Sequence, residues 1–261
     1  MKPLLKAAFF YTFGCRNPTV KSMIVNSKAI VISALKYGEA DLIVNLYSLE
    51  SGLRTYMLRG ILKSKKGKFK ASQFQLLTQL EIVASHKNKG TLEYLKDAKV
   101  INTYTSLHTN VIKASVAMFI AEVLKSAIRE EEANPLLYHF LETSFSWLDL
   151  HDKIANFHIM FLLKLSGFLG FQPDDLNTEH PFFNLLEGTF EPVKTNDYCI
   201  EGENLDILRA FLNVGFNDMK SVKLSSSQRA EFLKMILLYY ELHIEGFRKP
   251  KSLTVLNEIF N

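Results

Sequence analysis

The spacing of apolar residues changes near residue 102, and this change constrains the fold more than any other feature of the sequence. From Met23 to about Val100, apolar and polar residues alternate in short runs separated by turn residues, as they do in β-strands. After Asn102, apolar residues recur at spacings of three and four, as they do in helices. The sequence therefore predicts an α+β chain with a β domain at 23–102 and an all-α domain at 103–261.

Five strands are predicted in the first domain. The third and fourth are separated by a long basic connection, and Gly38, Gly52 and Gly90 mark turns between other strands. Five strands in about eighty residues are typical of a small closed barrel of the OB type. The corresponding segments are KAIVISALKY, ADLIVNLYSL, LRTYMLRGIL, FQLLTQLEIVAS and GTLEYLKDAKVI.

The second domain is predicted to be a helical bundle with one irregular insertion. The segment KIANFHIMFLLKLSGFLGF is apolar almost all round, which indicates a central buried helix. Residues 174–202 have no clear period and contain several Pro and Gly residues, so we expect an irregular insertion there, which could include a short hairpin. Asn134 and the serines before Gln228 are predicted to cap two further helices.

Charge is distributed unevenly between the two domains. Residues 23–102 contain 13 Lys/Arg and 6 Asp/Glu, a net charge of +7, whereas residues 103–261 contain 14 and 21, a net charge of −7. The segment RGILKSKKGKFKAS, residues 59–72, contains six of these cations and no acid. Such a run is either a solvated loop or a surface for an anionic polymer, and the charge pattern alone leaves both interpretations open.

The candidate nucleic-acid contacts lie on this run and on the strand before it. Lys and Arg bind backbone phosphates without reading base sequence, and an exposed aromatic ring stacks on bases. Phe69, between Lys68 and Lys70, is the aromatic residue that we expect to be exposed. The predicted contacts are Arg54, Arg59, Lys63, Lys65, Lys66, Lys68, Phe69 and Lys70.

No arrangement of residues typical of an enzyme is found. The sequence lacks a phosphate-binding Gly-rich loop ending in GK[ST] and a GxSxG nucleophile motif. His158 lies in the apolar helix without a ligand-type neighbour, so a core role is favoured over metal binding. Asp149 and Asp152 stand at a helix boundary, where capping of the next helix explains them better than catalysis. We therefore predict a non-enzymatic protein without metal or cofactor.

The first 22 residues need a separate interpretation. They are basic and partly apolar, but Lys6 interrupts the apolar stretch and no small-residue cleavage site follows, so a signal peptide is disfavoured. We expect a disordered or mis-assigned extension before a strand that starts at Met23. No membrane-spanning segment is predicted. With only Cys15 and Cys199, a reducing cytoplasmic location is favoured.

Two segments of the chain resemble the RecO family of bacterial recombination mediators. Residues 30–68, IVISALKYGEADLIVNLYSLESGLRTYMLRGILKSKKGK, resemble its N-terminal signature, in which a YGE-x-D turn, an acid-x-Gly turn and a Gly-containing basic segment follow successive strands. Here these features are Tyr37 to Asp41, Glu50 to Gly52 and Arg59 to Lys68. Residues 161–174, FLLKLSGFLGFQPD, resemble the central helix of the family.

The resemblance implies a fold, a function and a set of partners. RecO-type proteins have an N-terminal OB-fold and a helical C-terminal domain, bind single- and double-stranded DNA, and work near the nucleoid. They act with RecR and single-strand-binding protein (SSB) to load RecA and anneal complementary strands. Many carry a four-cysteine zinc module after the central helix, whereas residues 174–202 contain only Cys199, so zinc is not carried over.

A basic-rimmed groove of the helical domain is expected to receive the acidic, apolar-ended tail of SSB. The candidate rim residues are Lys125, Arg129, Arg229 and Lys234. Three other interpretations stay open: an RNA-binding OB-fold protein associated with translation, an enzyme that uses the barrel to hold its substrate, and a structural adaptor with a merely solvated basic run. Phosphate contacts alone do not distinguish DNA from RNA, since only contacts to the 2′-hydroxyl do so.

Overall fold

The computed structural model describes residues 22–63, 67–87, 92–129 and 132–260. The extension predicted at 1–22 lies outside the described residues, apart from Ser22. Within the described ranges, none of the helices combines the length and the apolar character needed to cross a membrane. A five-stranded antiparallel sheet is followed there by six α-helices, which confirms the predicted α+β class.

The first region forms one antiparallel sheet. Its strands are β1 (Met23–Tyr37), β2 (Asp41–Ser48), β3 (Gly52–Leu58), β4 (Gln79–His86) and β5 (Tyr94–Asn102). They are ordered β3-β2-β1-β4-β5, because the 15-residue β1 pairs with β4 through its first half and with β2 through its second. Strand β5 ends at the residue where the apolar spacing of the sequence changes.

The sheet is not closed into a barrel, so the predicted closure is wrong. In the described residues, Tyr56 of β3 forms one isolated bridge with Glu93, the residue before β5, beside a 2.8 Å hydrogen bond from Glu93 N to Thr55 O. Farther along β5, the Gln73 side chain donates a hydrogen bond to the Ala98 carbonyl at 3.2 Å. The segment after β3 therefore occupies the edge of β5 with which β3 would have to pair to close the sheet.

Strand β1 separates two apolar cores. Ala29 and Val31 pack into the core of the sheet itself, whereas Ile30 and Ile32 pack into the core of the helical region. Successive side chains of a strand point to opposite faces, so four consecutive apolar residues require apolar partners on both sides. The helices therefore cover the face of β1 opposite to the core of the sheet.

The helical region confirms the expected buried central helix. Its helices are α1 (Val111–Ala127), α2 (Pro135–Leu150), α3 (Phe157–Phe168), α4 (Glu203–Leu212), α5 (Ser226–His243) and α6 (Leu253–Ile259). Every residue from Phe157 to Leu163 is buried. Two of the expected caps form: the Asn134 side chain accepts from Leu137 N, and Ser225 and Gln228 make a reciprocal capping box.

The insertion between α3 and α4 is more regular than predicted. It contains a three-stranded sheet in the order β7-β6-β8, formed by β6 (Phe182–Asn184), β7 (Thr189–Glu191) and β8 (Cys199–Ile200). Phe183 and Phe190 are buried and contact each other edge-on, with ring centroids 5.0 Å apart. These two rings join the insertion to the helical core.

The Asp149 carboxylate joins the end of α2 to the segment between β5 and α1. It accepts hydrogen bonds from three consecutive backbone N–H groups, those of Thr105 (2.9 Å), Ser106 (2.7 Å) and Leu107 (2.7 Å). Burial raises the pKa of Asp149, but these hydrogen bonds outweigh it and lower the pKa to about 2. The expectation that Asp149 caps the next helix is therefore wrong, because it binds a segment more than forty residues earlier.

The Asp149→Asn variant tests this junction. The amide cannot accept all the hydrogen bonds that the carboxylate accepts, so we expect the free energy of unfolding at pH 7 to fall by about 2–3 kcal/mol. The folded-state pKa lies below the unfolded value, so the wild-type chain keeps this contribution above about pH 4 and loses it as the pH falls towards 2. Urea titrations at several pH values measure both effects, and equal stability of the two proteins at pH 7 would contradict the assignment.

Candidate nucleic-acid interface

Local hydrogen bonds fix the start of the basic connection between β3 and β4. The Asp41 carboxylate accepts from Gly60 N at 2.7 Å, and Ala40 O accepts from Leu62 N at 2.9 Å. Gly60 has a φ of 69°, a left-handed conformation that residues with a Cβ rarely adopt. The Asp of the YGE-x-D turn and the Gly of the basic segment thus act together, because the first holds the turn that the second makes.

The cations of the connection differ in their surroundings. Arg59, Lys68 and Lys70 are exposed. Lys63 pairs with Glu39 at 2.7 Å, and Lys68 lies 3.7 Å from Asp97 on β5. Both pairs are exposed to solvent, where an ion pair stabilises a protein by about 1 kcal/mol or less, so phosphates can compete for these lysines. Lys65 and Lys66 lie outside the described residues.

Arg54 and Phe69 lie closer to the core than the other described residues of the predicted set. Arg54 shares its face of β3 with the buried residues Tyr56 and Leu58, and its Nε donates to Ser51 O at 3.2 Å. Phe69 is half-buried and packs edge-on against Phe74 at 6.0 Å. Phe69 thus packs against the core of the sheet, and its predicted contact with bases stays a prediction.

Further cations lie on β5, and the sequence reasoning missed them. Lys96 and Lys99 are exposed, and neither forms an ion pair within the described part of the chain. Tyr94 on the same strand is 48% exposed. The alternation in YLKDAKVI predicts the strand correctly, but it does not show that the outward residues share a surface with the basic connection.

The four cations predicted to form a rim on the helical region do not meet at one pocket. Lys125 is exposed on α1, and Lys234 pairs with Glu231 at 2.6 Å on α5. Arg129 donates to Gly246 O at 2.8 Å and lines a pocket beside His243. Arg229 lines a different pocket.

The pocket that contains Arg229 is both apolar and basic. Its volume is about 410 Å³, and Ile154, Leu224 and Phe260 contribute apolar walls. Arg229 is held by hydrogen bonds to Asn156 Oδ1 (3.2 Å) and Leu224 O (3.1 Å). Three exposed lysines also line it, and Asp152 is the one acid among its described lining residues. These lysines are Lys153, Lys220 and Lys223.

Titratable residues do meet in the described sheet, where Tyr56 Oη lies 2.7 Å from His86 Nε2, but the described chain gathers no metal-binding group. No three His, Cys, Asp or Glu side chains come together there in a way that could hold a metal ion. His158 is fully buried, and burial lowers its pKa to about 3. It stacks against Phe260 at 5.4 Å and meets Phe119 edge-on, which fits the predicted core role.

Comparison with known families assigns both halves of the chain. Residues 23–104 match the family model described as Recombination protein O N terminal, and residues 108–253 match Recombination protein O C terminal. The chain belongs to the RecO family. The boundary between the two matched ranges coincides with the segment that Asp149 binds.

Relatives named DNA repair protein RecO are similar over their full lengths. The protein of Christiangramia forsetii is 61% identical over 238 residues, which cover 91% of this chain and all of the relative. The proteins of Flavobacterium psychrophilum and Bacteroides fragilis are 46% and 34% identical, each over 92% of this chain and all of the relative. Membership of the RecO family supports a role in DNA repair and recombination, with DNA-related repair partners.

Proposed function

We propose that the chain is a non-enzymatic recombination mediator that binds single- and double-stranded DNA through the basic connection between β3 and β4. The observation that carries the proposal is the display of Arg59, Lys68 and Lys70 on an exposed connection in a region of net charge +7. Cations on such a surface release counterions from DNA when they neutralise phosphates, which gives tight, nearly sequence-independent binding at low salt. The full set of proposed contacts is Arg54, Arg59, Lys63, Lys65, Lys66, Lys68, Phe69 and Lys70.

Replacement of Lys65, Lys66 and Lys68 by Ala tests the basic connection. We expect weaker binding of single-stranded DNA and a flatter dependence of log K on log salt, because each lost phosphate contact removes about 0.7 from the slope. Three lost contacts would reduce the slope by about 2. Fluorescence anisotropy with a labelled oligonucleotide at several salt concentrations measures both quantities.

The matched control removes three cations from the helical region. Lys194, Lys249 and Lys251 are exposed there, so their replacement by Ala changes the net charge equally without touching the connection. The control should bind DNA almost as the wild-type chain does. Equal losses in the two triple variants would show that overall charge, rather than the connection, determines the affinity.

In the proposed function, the chain acts in the cytoplasm with RecR and SSB, helps to load RecA, and needs no cofactor or metal. The pocket around Arg229 suits the acidic, apolar-ended tail of SSB, because its lysines can meet the acids while Ile154, Leu224 and Phe260 receive the apolar end. Of the four predicted rim residues, Arg229 alone lines this pocket. Lys125, Arg129 and Lys234 remain proposed partner contacts at other positions.

Replacement of Lys153, Lys220 and Lys223 by Ala tests this pocket in the full chain. We expect the affinity for an SSB-tail peptide to fall at least tenfold, because three cations beside the acids are lost. Calorimetric titration with the peptide measures the change, and the triple variant that replaces Lys194, Lys249 and Lys251 by Ala, which lie outside the pocket, is the matched control. Wild-type affinity in the triple variant would place the peptide elsewhere.

Annealing is the decisive test of the mediator proposal. The purified chain should anneal complementary DNA strands coated with SSB, without nucleotide and without cleaving or joining them. Failure to anneal would refute the proposed function, and a change in strand length would reveal an enzyme.

An RNA-binding protein associated with translation is the alternative function. Competition between DNA and RNA oligomers of one sequence discriminates the two, because a preference for RNA requires contacts to the 2′-hydroxyl. A clear preference for RNA would favour the alternative.

A further inference from the structure

The outward face of β5 combines an exposed aromatic ring with cations. Leu95 and Ala98 point into the core of the sheet, so Tyr94 and Lys99 lie on the opposite, solvent-facing side. Lys87, the residue after β4, places its Nζ 5.4 Å from the centre of the Tyr94 ring. No other aromatic ring in the described part of the chain contacts Tyr94.

Positive charge dominates this face. The exposed lysines there are Lys87, Lys96 and Lys99. Three acids lie near them: Glu81 is the β4 register partner of Lys99, Asp97 is 3.7 Å from Lys68, and the buried Glu93 accepts a hydrogen bond from Lys87 N at 2.8 Å. With Lys68, four exposed lysines stand against the two exposed acids Glu81 and Asp97. A polyanion therefore meets a net positive surface, and the Asp97 carboxylate is already partly neutralised by Lys68.

The face is continuous with the basic connection. Lys68 reaches β5 through Asp97, and Gln73 donates to the β5 backbone at Ala98. A nucleic-acid strand bound along the connection would reach β5 without leaving the positive surface.

Tyr94 suits base stacking better than the other aromatic residues of the sheet. Tyr56 and Phe74 are buried, and Phe69 packs against the core. Tyr37 is 55% exposed, but two acids, Glu39 and Asp41, follow it closely in the chain.

We propose that β5 forms a second part of the nucleic-acid site, in which Tyr94 stacks on an unpaired base and Lys87, Lys96 and Lys99 contact the neighbouring phosphates. The ligand is single-stranded nucleic acid, because the bases of a duplex are already stacked. This inference rests on the proposed function and adds to it the residues that distinguish single strands from duplexes.

The Tyr94→Ala variant is tested with two ligands of equal length, an oligo(dT) and an abasic oligomer with the same phosphodiester backbone. Loss of one stacked base should weaken oligo(dT) binding roughly 5- to 150-fold. Affinity for the abasic oligomer should stay unchanged, because it has no base to stack. This second ligand also shows that the variant remains folded.

Three control variants sharpen the result. Tyr94→Phe should retain the affinity for oligo(dT), since the ring remains, and Tyr37→Ala should leave it unchanged. The Lys96→Ala, Lys99→Ala double variant should weaken binding of both oligomers and flatten the salt slope by about 1.4.

The outcomes separate this inference from the proposed function. Unchanged oligo(dT) affinity in Tyr94→Ala, or an equal loss for both oligomers, would overturn the stacking role while DNA binding by the wild-type chain stands. Failure of the wild-type chain to bind oligo(dT) at low salt would overturn the proposed function itself.

Discussion

A buried carboxylate at the junction between the sheet and the helices determines how the two regions meet. Asp149 binds three consecutive backbone N–H groups of residues 105–107, and the buried Lys113 donates to Asp149 O and to Ser106 Oγ, both at 2.7 Å. Buried charged groups are tolerated only when hydrogen bonds satisfy them, so these groups stabilise one geometry of the connection. That geometry directs α1 back against β1, where Ile30 and Ile32 complete the core of the helical region.

The helices cover only part of the outer face of the sheet, and cations of the sheet beyond them stay exposed. On this face Glu81 is the register partner of both Lys28 and Lys99, and Lys28 binds Glu142 of α2 at 3.1 Å whereas Lys99 stays exposed. Arg59, Lys68 and Lys70 of the basic connection are exposed as well. The helical region is acidic overall, yet the pocket around Arg229 gathers four cations beside one acid. The proposed function thus assigns DNA to the sheet. It assigns the SSB tail to the basic pocket around Arg229, which lies in an otherwise acidic region.

Local sequence patterns predicted most of the fold, because the formation of a strand or a helix depends mainly on the spacing of apolar residues along a short segment. Alternation identified all five strands, and the all-round apolar segment identified α3. Closure of the sheet could not be predicted this way, since it depends on which group meets the edge of β5, and Gln73 does so from twenty-five residues away. The prediction for Asp149 is wrong for the same reason: its helix-boundary position indicates a cap, whereas its partners lie more than forty residues earlier.

The sequence by itself determined the order of strands and helices, the separation of charge, and the place of the basic connection after the third strand. These properties follow from composition and spacing along the chain. Only the tertiary structure decided which charged groups share a surface: it paired Lys63 with Glu39, brought Arg229 beside Lys153, and placed Tyr94 among lysines. The reason is physical, because Coulomb and stacking interactions depend on distances in space, which the folded backbone alone sets.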